Sequence, residues 1–182
     1  MSEELLIRHC SPTLAGMKTA NMFVCKFADA TAMRESLRRY NKLLGKKGLR
    51  LLPLRFEKGR ALIYVYRPSH LSRDLEHCTA ARILSERGYC SVTPSRCLAE
   101  LMKRLEKSGE FPHEIGLFLG YPPEDVCGFI ENRDCFKCVG TWKVYGDAET
   151  AEKTFAKYKK CTRVYCEQHA KGRPIERLTV AM

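Results

Sequence analysis

No run in this chain approaches the roughly 20 consecutive apolar residues that span a bilayer, which excludes a transmembrane helix as a reading. The opening MSEELLIRHC is acidic first and apolar only briefly, so it does not read as a secretory signal. There is no P-loop, no dinucleotide glycine fingerprint and no GxSxG elbow. GLFLGY has paired glycines but lacks the lysine and the strand-to-helix setting of a phosphate cradle. Low-complexity tracts, long linkers and internal repeats are missing as well. A chain of 182 residues supports one well-buried core or at most two small ones, and the expectation is a single domain over residues 1–182. The expected setting is a bacterial cytoplasm, with no membrane partner.

Cysteine and positive charge are abundant. Ten cysteines in a small secreted protein would suggest disulfides; without a signal peptide, reduced thiols serving packing, metal binding or redox chemistry are the expectation. The formal net charge is +11 and is unevenly spread. Residues 34–60 hold ten Lys/Arg and two Glu, and residues 153–177 hold eight and two, whereas 113–134 hold five Asp/Glu and one Arg. A basic balance points to nucleic acid, phosphorylated ligands or an acidic protein partner. Solvated helix faces are the plain alternative.

The coarse pattern predicts an α+β fold, with several helices around a small, mainly antiparallel sheet. Asp29 caps a helix whose Met33, Leu37, Tyr40 and Leu44 recur at helical spacing, with Gly45 as its end. LRLLPLRFEKGRALIYVYRP reads as a β-hairpin about EKG, with Pro53 at an edge or bulge, and NMFVCKF can add a strand. Residues 71–87 read as one helix stopped by Gly88. Thr93-Pro94 opens another, carrying Cys97, Leu98, Leu101, Met102 and Leu105. FKCVGTWKVYGD alternates as a strand with Phe136, Cys138, Gly140, Trp142 and Val144 on one face. Asp147 caps a basic helix over about 148–169, burying Ala151, Phe155, Tyr158, Thr162 and Tyr165.

HEIGLFLGYPPEDVCGFIEN, inside an expected helical hairpin at 112–132, supports three readings. As a helix-turn-helix it has Gly116, Leu119, the turn glycine Gly120, Val126 and Phe129 at fitting offsets. Its second helix, however, would offer Glu124, Asp125 and Glu131 to a polyanion. As chemistry, adjacent His113 and Glu114 point about 100° apart on a helix and do not make HExxH, though His113 alone can serve as a ligand or general base. As packing, Pro112 and Pro123 suit first helical positions, and the acids beside them suit helix N-termini.

Cys135 and Cys138 form the one CxxC, a spacing that suits zinc or a redox dithiol. A second pair at suitable spacing is absent. Cys78, Cys97 and Cys127 fall in apolar stripes and read as core. Cys10 sits beside His9, before a Ser-Pro turn signal. Trp142, beside Lys143, reads as core or as an aromatic platform for a base or planar cofactor.

HCSPTLAGMKTAN, YRP, FPHEIGLFLGYPPEDVCGFI, CVGTWKVYGD and the F-x2-Y-x2-C of the last helix together resemble a family of short, mainly anaerobic bacterial proteins known as domain of unknown function 3793. The likeness covers nearly the whole chain and is most specific over 109–161. It implies one domain and brings no activity or cofactor. The family pattern includes His9, Cys10, His113, Glu114, Cys138, Trp142, Lys143 and Cys161, while Cys135 stands outside it.

Three functions follow as expectations. The first is a thiol/imidazole site in which His9, Cys10, His113, Cys138 and Cys161 converge on a soft metal (zinc, iron or copper) or a redox cofactor, with Trp142 and Lys143 as cofactor-binding residues. The second is a nucleic-acid-associated module using Arg34, Arg38, Arg39, Lys42, Lys46 and Lys47. The third is a cysteine-dependent transferase or hydrolase with Cys10 or Cys138 beside a histidine, Cys10 and His113 being the catalytic candidates.

Overall fold

The computed structural model describes residues 1–91, 93–107 and 111–181. In chain order its elements are α1 (Glu3–Leu14), β1 (Ala20–Lys26), α2 (Ala30–Leu44), a 3-10 turn (Gly45–Lys47), β2 (Arg50–Glu57), β3 (Arg60–Tyr66), α3 (Pro68–Glu76), α4 (Cys78–Glu86) and α5 (Pro94–Glu106). There follow α6 (Ile115–Phe118), α7 (Pro123–Glu131), β4 (Cys138–Val139), β5 (Lys143–Val144), α8 (Ala148–Ala170) and α9 (Ile175–Leu178). The fold is α+β, and packing divides it into two compact units: Met1–Ser69 with Tyr158–Met182, and His70–Lys157. Among the described residues no helix is long and apolar enough to cross a membrane.

In the first unit a three-stranded antiparallel sheet, ordered β1-β3-β2, carries the expected hairpin and the added strand. Lys58 and Gly59 turn the chain at φ 46° and 72°, the conformation of a tight two-residue loop whose twist matches the strands. Pro53 lies on edge strand β2, and the register slips between Pro53 and Arg55, so the missing N–H falls at a bulge. Asp29 accepts the Thr31 and Ala32 N–H groups at 2.8 and 3.2 Å and starts α2. Met33, Leu37, Tyr40 and Leu44 are buried together with Leu6, Ile7, Cys10 and Leu14 of α1. α2 ends at Leu44 with Gly45 as its C-cap, as expected; Gly45 keeps a right-handed conformation (φ −59°) and opens the 3-10 turn, which Gly48 ends at φ 77°.

The turn expected after Cys10 is absent. α1 runs on through Pro12, so Cys10, Ser11 and Pro12 are helical and buried. Pro12 forfeits one backbone bond near the helix end, and burial of the surrounding apolar face outweighs that loss. Arg67 closes this unit, and its side chain is wholly buried. Its guanidinium donates to the carbonyls of Thr13 (2.8 Å), Leu14 (2.8 Å), Lys47 (3.2 Å) and Val180 (2.8 Å). One side chain thus ties the end of α1, the 3-10 turn and the C-terminal segment.

The second unit is mainly helical. The single helix expected over 71–87 is two, broken at the extended residue His77. Leu71 and Leu75 are buried, and the buried stripe resumes only at Ala80, Ile83 and Leu84. That phase slip prevents one continuous helix from burying both sets, and it leaves Cys78 exposed rather than in an apolar stripe. α5 buries Cys97, Leu98, Leu101 and Leu105 as the spacing predicts, while Thr93 makes no side-chain bond to the helix it precedes. The strand expected across 136–146 folds back on itself. β4 pairs antiparallel with β5, and Gly140 N–H donates to the Trp142 carbonyl at 3.0 Å. Asp147 caps α8 by accepting Thr150 N–H (3.1 Å) and Thr150 Oγ1–H (2.6 Å), bonds that hold its carboxyl below the usual range.

Candidate functional site

The expected helical hairpin is lopsided. Pro112 lies outside any helix, His113 and Glu114 form the turn that follows it, and α6 is a single helical turn. Glu114, the N-cap residue of α6, is buried at 2% exposure and makes no side-chain cap bond to that helix. It accepts the Tyr89 hydroxyl proton at 3.0 Å and lies 3.5 Å from Arg104 Nη1. Burial, followed by the adjacent Glu114 carboxylate, pushes the Tyr89 phenol up. Gly120, at φ 72°, reverses the chain, and α7 follows from Pro123. Gly116 lets the two elements meet, since a Cβ there would stand 2.8 Å from Val126 Cγ2. A four-residue first helix and the acids of α7 give no surface for reading DNA.

Asp125 organises the neighbouring hairpin. Its buried carboxylate accepts Trp142 Nε1–H at 2.6 Å and the backbone N–H groups of Tyr145 and Gly146 at 2.7 Å each. This fixes Trp142, which stacks on Tyr121 (4.9 Å, 28°) and presents an edge-to-face contact with Phe155 (4.6 Å, 77°).

Between α7 and this hairpin opens a cavity of about 360 Å³. Phe111, Ile115, Val126, Phe129, Tyr121 and Trp142 make its apolar walls, and His113 and Lys143 also line it. His113 meets the Phe129 ring edge-on at 5.1 Å and contacts Arg133 through Nε2. The Arg133 guanidinium lies 5.5 Å from the Phe129 centroid and Lys143 Nζ lies 5.8 Å from it. Lys143 Nζ and Tyr145 Oη both donate to the Arg133 carbonyl, at 2.8 and 3.0 Å. Such a concavity, with apolar aromatic walls and a few polar groups, is the ordinary form of a small-molecule site.

The expected thiol/imidazole centre is not found. Among the described residues no group of three or more His, Cys, Asp and Glu side chains is placed to hold a metal ion. His9 stacks on Phe23 (5.0 Å, 5°) in the first unit, where burial and then Arg8 lower its pKa. Cys10 is fully enclosed in the core of that unit, where burial drives its thiol pKa up. Cys161 lies on the buried face of α8, its thiol pushed up to about 11 by burial. Both are poor nucleophiles and poor ligands in that state. Cys138 is half-buried in β4 and outside the cavity lining. Cys135 is exposed and accepts Asn132 Nδ2–H at 3.0 Å, and all ten cysteines are free thiols.

His113, Trp142 and Lys143 are thus brought together, whereas His9, Cys10 and Cys161 occupy core or stacking positions in the other unit. Phe111, Tyr121, Phe129, Asp125 and Arg133 were not singled out as ligand-site residues from the sequence. One signal was available, because seven aromatic residues fall between 111 and 145.

The basic residues of the first unit lie where their spacing suggests. Arg34, Arg38, Arg39, Lys42 and Lys46 are exposed. Among the described residues none of them pairs with a carboxylate. Arg34 covers the Phe56 ring and Arg39 the Tyr40 ring, at 5.2 and 5.0 Å. Lys47 departs from the group: it is half-buried and donates to the Thr179 carbonyl at 2.9 Å, a structural task. The first unit carries twenty Lys/Arg against seven Asp/Glu, a net of +13, and the second twelve against fourteen, a net of −2.

The DUF3793 family model, described as a protein of unknown function, matches residues 6–179. The chain belongs to this family. No curated protein and no solved structure matches it. The match takes in both units, from the core helix α1 to Thr179.

Proposed function

We propose that the second unit of this DUF3793 protein is a binding module for a small, flat, largely apolar molecule, which it holds between α7 and the Trp142 hairpin. The observation that carries this reading is the aromatic cavity with Trp142 fixed by Asp125 and with Phe129 on its wall. A volume of about 360 Å³ accommodates a one- or two-ring compound. Trp142 is the chain's single tryptophan, so its emission reports on the cavity alone. Titration with a panel of bicyclic aromatics should give saturable quenching at micromolar concentration. Phe129→Ala should weaken it by an order of magnitude. Linear, non-saturating quenching by every compound would refute the reading.

A second reading is favoured by the charge difference between the units. The exposed, carboxylate-free cations of α2 and the 3-10 turn suit the phosphate backbone of a nucleic acid. Binding to single- and double-stranded oligonucleotides should then weaken steeply with salt. Arg38→Ala with Lys42→Ala should reduce the salt slope by about two. A flat salt response excludes phosphate-driven contact and leaves an acidic protein surface as the alternative partner.

A further inference from the structure

We infer that the ligand of the aromatic cavity is an anion: a planar aromatic carboxylate whose ring lies against Trp142 and Phe129 and whose acid group faces Lys143, Arg133 and His113. This rests on the pocket reading above and adds the class of ligand. Three basic side chains surround one ring, with Lys143 Nζ, the Arg133 guanidinium and the His113 ring at 5.8, 5.5 and 5.1 Å from the Phe129 centroid. Each comes from a different stretch, His113 before α6, Arg133 after α7 and Lys143 in β5, so helical spacing does not account for their meeting. Lys143 and His113 both line the cavity. Lys143 spends one N–H on the Arg133 carbonyl, its ammonium lies 4.5 Å from the centroid of the Phe136 ring as well, and an ammonium has three N–H groups in all.

The carboxylate that also lines the cavity, Asp125, does not take this role. Both its oxygens are engaged by Trp142, Tyr145 and Gly146 N–H groups, which turn it toward the hairpin backbone. The cavity therefore presents apolar walls with the Lys143 ammonium on its lining and the Arg133 guanidinium just beyond it, against His113 Nε2. A neutral aromatic would leave that ammonium facing apolar atoms, whereas an oxyanion makes charge-assisted hydrogen bonds with it.

The test compares 2-naphthoate with 2-naphthamide, which share the ring system and nearly the same shape and differ in charge. Trp142 quenching by the full-length protein should give about tenfold tighter binding of the carboxylate. Lys143→Met keeps much of the apolar stem; it should remove that preference by weakening naphthoate far more than naphthamide, and saturable naphthamide binding reports that the cavity is intact. Equal affinity for the two compounds, or a preference that survives Lys143→Met, overturns the anion assignment and leaves the pocket reading standing. Saturable binding by neither compound overturns both.

Discussion

Replacing Asp125 with Asn is the sharpest test of how the site is built. The carboxylate offers two acceptor oxygens, one to Trp142 Nε1–H at 2.6 Å and the other to the Tyr145 and Gly146 N–H groups at 2.7 Å. Asparagine has one side-chain oxygen. Turned toward the two amides, it sets its own NH2 against the indole N–H; turned toward the indole, it sets that NH2 against two backbone donors. The first arrangement is the less costly. It forfeits one charge-assisted bond, about 1.5–3 kcal/mol, and leaves a buried donor facing a donor, about 1–3 kcal/mol more. A destabilisation near 3 kcal/mol lowers the melting temperature of an element of this size by roughly 12–24 °C. Thermal unfolding followed by Trp142 emission reads this unit selectively, and the emission maximum should move to the red in the folded variant as the indole loses its anchor. Asp125→Asn melting within about 3 °C of the parent chain, with an unshifted emission maximum, would show that the carboxylate is not the anchor of the hairpin.

Other outcomes follow from the same structure. Arg67→Met should lower the urea midpoint of the first unit by the equivalent of about 2–5 kcal/mol, because the buried carbonyls of Thr13 and Leu14 and the half-buried ones of Lys47 and Val180 lose this donor. Arg67→Lys should not restore it, since one ammonium cannot span four carbonyls on three segments; an unchanged midpoint in either variant contradicts the role assigned. A thiol reagent should modify Cys78, Cys90 and Cys135 promptly in the folded chain and reach Cys10, Cys25, Cys97 and Cys161 only on unfolding, as read by mass spectrometry of partial labelling. Rapid labelling of Cys10 would reopen the nucleophile reading. The folded-state pKa of Cys161, raised from 9.0 to about 11, makes the native chain retain a proton that the unfolded chain releases. That stability is present below pH 9 and is lost as pH rises toward 11, by about 2–3 kcal/mol. The difference in unfolding free energy between the parent and Cys161→Ala should therefore be constant below pH 9 and shrink above it.

Elements governed by neighbours in the chain were legible in the sequence. The cap of α2 by Asp29, its four buried residues, the EKG hairpin and the bulge at Pro53 all depend on contacts within a few residues or on the fixed chemistry of proline and glycine. The break at His77 shows in the sequence only as phase: at 100° per residue Leu75 falls about 40° from Leu71, but Ala80 and Ile83 fall about 180° and 120° from it. The hairpin at 138–144 escaped because alternation is the same on both sides of a turn and does not show where the chain reverses. Among the site residues, Trp142, Lys143 and His113 stood out by type. Phe129 and Arg133 did not, since a phenylalanine in an apolar stripe and an arginine in a loop are ordinary until something packs against them.

Composition and local pattern determined the α+β class, the capped helices, the three-stranded sheet and the excess of positive charge, because these rest on backbone preferences and on counts that folding leaves unchanged. The folded arrangement decided the rest. It put Cys10 and Cys161 in a core where desolvation keeps the thiols protonated, buried Arg67 among four carbonyls, and gathered three basic groups from separate stretches around Phe129. Whether a cysteine is a ligand or a core residue, and whether an aspartate is a surface charge or the anchor of a tryptophan, depends on what lies within a few ångströms in space. Sequence separation does not encode that distance.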